Sequence, residues 1–178
     1  YTQHTFNDRL PPYLEEGIAT YMEGFNWHPR RPDAPIFRPW ANMERFRALR
    51  AAAQAGRLLS LPELIATTPQ ELIQRDQDMA LVWYAQVWAL VHFLHEGENS
   101  AHRQGFEELL RAAADGTLDR DAPRFRNLGN ATNARTGSLF NRYLGASPAE
   151  LDQRYQRFIA RVTAPGGQDA IVAGVSPL

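Results

Sequence analysis

The chain contains no cysteine and no lysine. The absence of cysteine among its 178 residues excludes disulfides, thiolate zinc sites and cysteine nucleophiles, and it leaves the redox compartment open. All 19 basic residues are arginines, which excludes Schiff-base chemistry and the phosphate-binding lysine of nucleotide loops. Chemistry that depends on a thiolate or a lysine amine is therefore excluded for this chain.

An excess of charge of one sign is also lacking, because 19 arginines stand against 20 acidic residues and the formal net charge is -1. The basic residues form no dense cluster, so no nucleic acid is expected as a partner. The longest apolar run, Ala80–Leu94, has fifteen residues and includes Tyr84, Gln86 and His92. It is too short and too polar to cross a bilayer, and it predicts a buried helix.

The chain begins at Tyr1 without an initiator methionine and without a charged-then-apolar signal sequence. We therefore expect the natural start to lie upstream, and we interpret the chain as a fragment or a processed form. The sequence leaves the compartment open, an extracytoplasmic one included, and it does not indicate the oligomeric state.

The spacing of apolar residues is helical almost throughout, which predicts an all-α fold. The chain has 178 residues, of which 44% are hydrophobic, and this is enough for one domain with a sizeable core. We predict a helical domain over residues 1–163 and a tail over residues 164–178. Before the last helix, the predicted helices span residues 12–23, 41–55, 69–75, 78–95, 101–114 and 134–144.

The last predicted helix has the most specific start signal. Ser147 as N-cap, Pro148 at the first helical position and Glu150 three residues after the cap form a capping box. Apolar residues then recur on one face of the helix, and they predict one-sided burial against a core. These residues are Leu151, Tyr155, Phe158, Ile159 and Val162.

Residues 25–40 interrupt the helical pattern between the first two predicted helices. Prolines at positions 29, 32, 35 and 39 cannot donate the amide hydrogen bonds that a continuous helix or a central strand needs. We therefore predict a proline-rich surface loop over residues 25–40, ordered or mobile.

Two adjacent carboxylates, Glu15 and Glu16, stand in the first turns of the first predicted helix, within the segment YLEEGIATY of residues 13–21. The positive helix N-terminus alone explains acidic residues here. Side chains at adjacent helix positions point ~100° apart around the helix axis, so the two carboxylates cannot face the same ligand. The segment nevertheless resembles, position by position, the third-ligand motif of the gluzincin zinc metallopeptidases, aromatic-Leu-x-Glu-Gly-x-Ala-x-Tyr. This resemblance implies that Glu16 binds zinc, that Glu15 replaces the usual Asn, and that Gly17 admits a neighbouring backbone.

In the gluzincins, two histidines and the general-base glutamate come from an H-E-x-x-H helix shortly before the Glu motif. No such sequence occurs in this chain, and we expect it just before Tyr1. His4 cannot be its second histidine, because Tyr1 stands three residues earlier, where the general base is required. The resemblance therefore implies zinc only together with upstream histidines, since one carboxylate cannot hold zinc tightly.

A second resemblance concerns residues 83–94, which are similar to the helix that follows the zinc motif in aminopeptidase-N-like gluzincins. Tyr84 takes the place of the tyrosine that there donates a hydrogen bond to the tetrahedral oxyanion. The alternative is a core tyrosine whose hydroxyl is satisfied locally. Tyr84, Trp88, His92 and His95 share one face of the predicted helix, and this face could line a cleft.

In a third resemblance, residues 140–152 are similar to the last part of the domain in a bacterial peptidase-MA-like family of unknown function. Together the resemblances imply the C-terminal helical portion of a thermolysin- or aminopeptidase-like catalytic domain. Zinc-activated water would hydrolyse a peptide or protein substrate there, and the chain alone would be inert. The alternative is a non-catalytic helical binding or scaffold module with a degenerate peptidase fold. An H-E-x-x-H sequence upstream of Tyr1 would discriminate between the two.

Overall fold

The computed structural model describes residues 10–28, 31–118 and 137–178. His4 and the start of the helix predicted at 134–144 lie outside these residues. The described part is mainly helical, as predicted, with one pair of short strands, β1 (Phe25–His28) and β2 (Arg31–Phe37). The helices are α1 (Pro12–Met22), α2 (Met43–Gln54), α3 (Leu61–Ala66), α4 (Pro69–Arg75), α5 (Gln77–Ser100), α6 (Arg103–Ala114), α7 (Pro148–Val162) and α8 (Gly167–Ala173), with a π-helical turn at Phe140–Leu144.

Helix α5 is the central element of the core, as its apolar run predicts. It packs against α1, α2, α3, α4, α6 and α7. Every side chain from Ala80 to Leu94 is buried except those of Leu81 and Tyr84. The regular helix ends where Gly97 predicts, because residues 97–99 leave helical geometry. Within the described residues, no helix is both long and apolar enough to cross a membrane.

Helix α7 begins with the predicted capping box. Ser147 Oγ accepts a hydrogen bond from the backbone N–H of Glu150 at 3.3 Å, and Glu150 Oε2 accepts one from the backbone N–H of Ser147 at 2.7 Å. All five residues of the predicted apolar face are buried. Tyr155 donates its hydroxyl hydrogen to the backbone oxygen of Gln86 at 2.6 Å, which ties α7 to the centre of α5.

The prediction of a proline-rich loop at residues 25–40 is wrong for most of that segment, because β1 and β2 form an antiparallel hairpin there. Phe25 pairs with Phe37 and Trp27 pairs with Pro35, and the register shifts after Trp27. Proline is excluded from central strands, but a two-stranded sheet contains only edge strands. Each strand has an open side on which a missing N–H breaks no ladder bond, so prolines are tolerated.

Two short helices are also missing from the sequence-based prediction. Helix α3 has its own capping box, in which Ser60 and Glu63 exchange hydrogen bonds. Helix α8 lies in the segment predicted as a tail, and Ile171 in it is fully buried. The C-terminal residues therefore belong to the packed domain, where α8 contacts α2.

Candidate functional site

Glu16 lies in the second turn of α1, a helix that starts with Pro12 at its first position and needs no N–H donor there. Its side chain is half-buried and makes no hydrogen bond or ion pair with another described residue. The pKa of Glu16 is raised, mainly by partial burial and further by the neighbouring Glu15 carboxylate, while Arg45 opposes the rise. Glu16 is thus a partly desolvated carboxylate with free oxygen atoms.

Gly17 sets how closely α1 approaches α5. A Cβ atom at this position would stand 2.8 Å from the backbone oxygen of Val87 and 2.9 Å from Cγ2 of Val91, both on α5. Only glycine fits there without a shift of the backbone. The expectation that Gly17 admits a neighbouring backbone is confirmed, and that backbone is the middle of α5.

Tyr84 stands about one helical turn before Val87, near the place where α1 crosses α5. Its side chain is half-buried, and its ring lies edge-on to Trp83 with 5.2 Å between the ring centres. The pKa of Tyr84 is raised, first by burial and then by the Glu16 carboxylate, and Arg45 again opposes the rise. The Glu16 carboxylate is therefore near enough to Tyr84 to contribute to the raised pKa of its hydroxyl.

Arg45, which the sequence analysis did not single out, is the third ionisable side chain of this region. It reaches Tyr84 from α2, with 5.4 Å between its Cζ atom and the ring centre. Its Nη2 donates to Glu23 Oε1 at the end of α1, at 3.1 Å. No local pattern in the sequence links Arg45 to α1 or α5, because these contacts join residues far apart along the chain.

The remaining face of α5 does not line a cleft, contrary to the expectation from its aromatic and histidine residues. Trp88 and His92 are both fully buried. The indole of Trp40 covers the face by stacking on His92, with 3.6 Å between the ring centres. The Tyr21 ring also packs on His92, tilted, with 4.8 Å between the ring centres. The sequence could not reveal this cover, because Trp40 stands in the segment predicted as a loop.

The carboxylate of Glu96, whose side chain is 21% exposed, completes this aromatic cluster. Glu96 Oε1 accepts a hydrogen bond from Trp40 Nε1 at 2.6 Å and lies 3.1 Å from His92 Nδ1. Burial lowers the pKa of His92 more than the interaction with Glu96 raises it. Burial would raise the pKa of Glu96, but hydrogen bonds from His92, Ser176 and Trp40 lower it overall. Glu96 thus holds Nδ1 of His92, while Nε2 of His92 is buried without a hydrogen-bond partner in the described part of the chain. The ring is enclosed by the core, so neither nitrogen is open to a ligand from solvent.

No group of three histidine or carboxylate side chains that could hold a metal ion occurs within residues 10–28, 31–118 and 137–178. A surface groove of about 430 Å³ lies between α3 and the start of α7, and neither Glu16 nor Tyr84 lines it. The described residues thus offer one free carboxylate, one phenol and one guanidinium in the same region, but not a complete metal site.

Comparison with known proteins finds no match. No family model fits the chain, and no curated protein or solved structure is significantly similar to it. The resemblance to the gluzincins therefore stays a prediction from the motif residues.

Proposed function

We propose that the chain is the C-terminal helical portion of a gluzincin-like zinc metallopeptidase that hydrolyses a peptide or protein substrate. What supports this most is that the Glu16 carboxylate contributes to the raised pKa of Tyr84 while Gly17, the neighbour of Glu16, packs against the helix that carries Tyr84. The two motifs stand almost seventy residues apart, and a shared reaction centre requires them to meet. Gly17 allows this meeting by letting α1 approach α5 closely.

Glu16 fits the role of the third zinc ligand. Its carboxylate is half-buried and has no partner that would compete for its oxygens among the described residues. In this proposal the two other ligands are histidines of an H-E-x-x-H segment upstream of Tyr1, whose glutamate is the general base. A zinc ion held by three protein ligands keeps one open position, where it acidifies a water molecule.

Tyr84 fits the role of hydrogen-bond donor to the oxyanion that develops on the scissile carbonyl. A tyrosine phenol is protonated at neutral pH, and the raised pKa of Tyr84 leaves it so, which makes the hydroxyl available as a donor. Half burial leaves the phenol accessible to a substrate, and a donor placed where the oxyanion develops stabilises the transition state.

Zinc binding by a protein that includes the sequence upstream of Tyr1 tests this proposal. We expect one zinc ion per chain, and Glu16→Gln should weaken binding by about tenfold or more, since an amide oxygen is a poorer ligand than a carboxylate. Glu15→Gln is the matched control, because Glu15 points ~100° away on the same helix. Isothermal titration calorimetry with a competing chelator measures the difference.

Turnover of a peptide substrate by the same protein tests the role of Tyr84 separately. Tyr84→Phe should leave zinc binding unchanged and lower kcat by about 10²–10³-fold, because only a transition-state hydrogen bond is lost. Zinc binding that is indifferent to Glu16→Gln would remove the ligand assignment. A zinc-loaded protein that cleaves no peptide from a varied library would favour the non-catalytic helical module.

A further inference from the structure

Arg45 is packed against the Tyr84 ring instead of extending into water. Its Cζ atom lies 5.4 Å from the ring centre, which is within cation–π range. The side chain is only 15% exposed. Its Nε atom is buried and has no oxygen acceptor in the described part of the chain. The guanidinium therefore has a fixed place at the proposed site.

Glu23 anchors this guanidinium, and Asn42 in turn holds Glu23. Glu23 Oε1 accepts from Arg45 Nη2 at 3.1 Å, and Glu23 Oε2 accepts from Asn42 Nδ2 at 2.7 Å. Asn42 is also the N-cap of α2, where its Oδ1 accepts from the backbone N–H of Arg45 at 3.2 Å. Glu23, Asn42 and Arg45 thus form a closed set of hydrogen bonds that joins the end of α1 to the start of α2.

The same anchor connects Arg45 to the proposed zinc ligand. Glu23 follows Glu16 by seven residues, or about two helical turns, so both carboxylates stand on one side of α1. Among the described ion pairs of Arg45, the one with Glu23 is the shorter, at 3.1 Å, and the Glu23 side chain is 45% exposed. Glu44 lies 3.6 Å away and is 78% exposed. Water screens the ion pair between Arg45 and Glu44, so this pair fixes the guanidinium only weakly.

We infer that Arg45 is a positioning residue for Tyr84: held by Glu23, it fixes the phenol ring beside Glu16 and keeps a positive charge against that ring. The inference rests on the proposed function, in which Tyr84 donates to the oxyanion. A cation at the ring favours negative charge on the phenol oxygen, so the hydroxyl becomes a stronger donor as the oxyanion forms. An ion pair that only joined α1 to α2 would leave the acidity of Tyr84 unchanged.

Titration of Tyr84 in the 178-residue chain tests this inference without zinc or substrate. The chain has six tyrosines, so the ring is labelled with ¹³C at Cζ, followed by NMR and assigned with Tyr84→Phe. Arg45→Gln should move the titration midpoint of Tyr84 upward by about half a pH unit or more, because a unit charge near the ring is lost. Arg45→Lys keeps the charge and should move it less.

Arg111→Gln is the matched control, because this exposed arginine pairs with Glu107 on α6 and should leave Tyr84 unchanged. A Tyr84 midpoint that is the same in the wild-type chain and in Arg45→Gln would overturn the inference. If Arg45→Gln does not fold, the inference is tested by NMR on the wild-type chain instead. A nuclear Overhauser contact between the Arg45 δ-methylene and the Tyr84 ring supports the inference, and its absence overturns it.

The longer protein that includes the sequence upstream of Tyr1 allows a separate measurement of activity. There Arg45→Gln should lower kcat with little change in KM, and Arg45→Lys should restore part of the loss. Failure of zinc binding or of hydrolysis would reject the proposed function while the titration still reports on Arg45 and Tyr84. The two claims can therefore fail independently.

Discussion

Single residues of α1 and α5 differ in how far they are removed from water, and this difference separates the proposed site from the core. Glu16 and Tyr84 are half-buried, so a substrate or a metal can reach them. His92 is fully buried and is enclosed by Trp40 and Tyr21. A histidine on α5 therefore contributes to stability, whereas a carboxylate and a phenol nearby are open to ligands.

The burial of His92 predicts a loss of stability in mild acid. Its pKa is lowered in the folded state from an ordinary value of 6.5, so the unfolded chain binds a proton more readily. Stability is then fully present above about pH 6.5 and falls as the pH is lowered below it, by at most about 1.4 kcal/mol per pH unit. Glu96, whose pKa is also lowered, adds a further loss only below its ordinary value of 4.5.

Urea unfolding at pH 7 and at pH 5.5 measures this contribution. In His92→Gln the free energy of unfolding should depend less on pH over this interval than in the wild-type chain, whatever the absolute stability of the variant. His95→Gln is the control, because His95 is on the same helix but only half-buried. An unaltered pH dependence in His92→Gln would show that burial does not hold this histidine neutral.

At the scale of helices, the crossing of α1 and α5 is the feature that assembles the site. Gly17→Ala places a Cβ atom 2.8 Å from the Val87 oxygen, and a backbone atom cannot move aside cheaply. We expect the free energy of unfolding to fall by about 1–3 kcal/mol, although alanine is the better helix former. Urea denaturation of the variant measures this change.

Gly137→Ala is the matched control for the helix crossing, since a Cβ atom at position 137 meets no atom of another described residue within 4 Å. This variant should be as stable as the wild-type chain or slightly more stable. Equal stability of Gly17→Ala and Gly137→Ala would mean that α1 does not approach α5 as closely as described.

The helices also show which local signals were sufficient for prediction. The capping box at Ser147 led to α7 because fifteen residues of helical periodicity follow it. An equivalent box at Ser60 precedes only six helical residues in α3, and such a short helix shows little periodicity. The hairpin was missed for the opposite reason, because prolines excluded a central strand while pairing at two open edges remained permitted.

At the scale of the whole molecule, the C-terminal residues close the domain instead of trailing from it. Helix α8 packs on α2, and the backbone of Gly174 comes close to the Arg38 side chain. Ile171→Ala should lower the free energy of unfolding by about 2–5 kcal/mol, because this side chain is completely buried. Chemical denaturation of the purified variant checks the value.

Val172→Ala is the matched control for this prediction, since its side chain is 66% exposed and its loss should change stability by less than about 0.5 kcal/mol. If Ile171→Ala were equally harmless, residues 164–178 would be the tail that the sequence suggests, and α8 would not be part of the core.

The candidate site was predictable only in part. Glu16 and Tyr84 could be found from sequence because each belongs to a motif with a defined spacing. Arg45 could not be found, because its contacts with Glu23 and Tyr84 depend on how α1, α2 and α5 pack together. The contacts of Trp40 could not be predicted for the same reason, because its indole packs on His92 and bonds to Glu96, which are more than fifty residues away in the sequence.

The most direct test of the central claim is a crystal structure of the zinc-loaded protein that includes the sequence upstream of Tyr1, with the metal located by anomalous scattering at the zinc edge. We predict a Glu16 carboxylate oxygen at about 2.0–2.2 Å from the ion and the Tyr84 hydroxyl facing the same cavity. Zinc bound away from Glu16, or Glu16 and Tyr84 on opposite surfaces of the domain, would contradict the shared site.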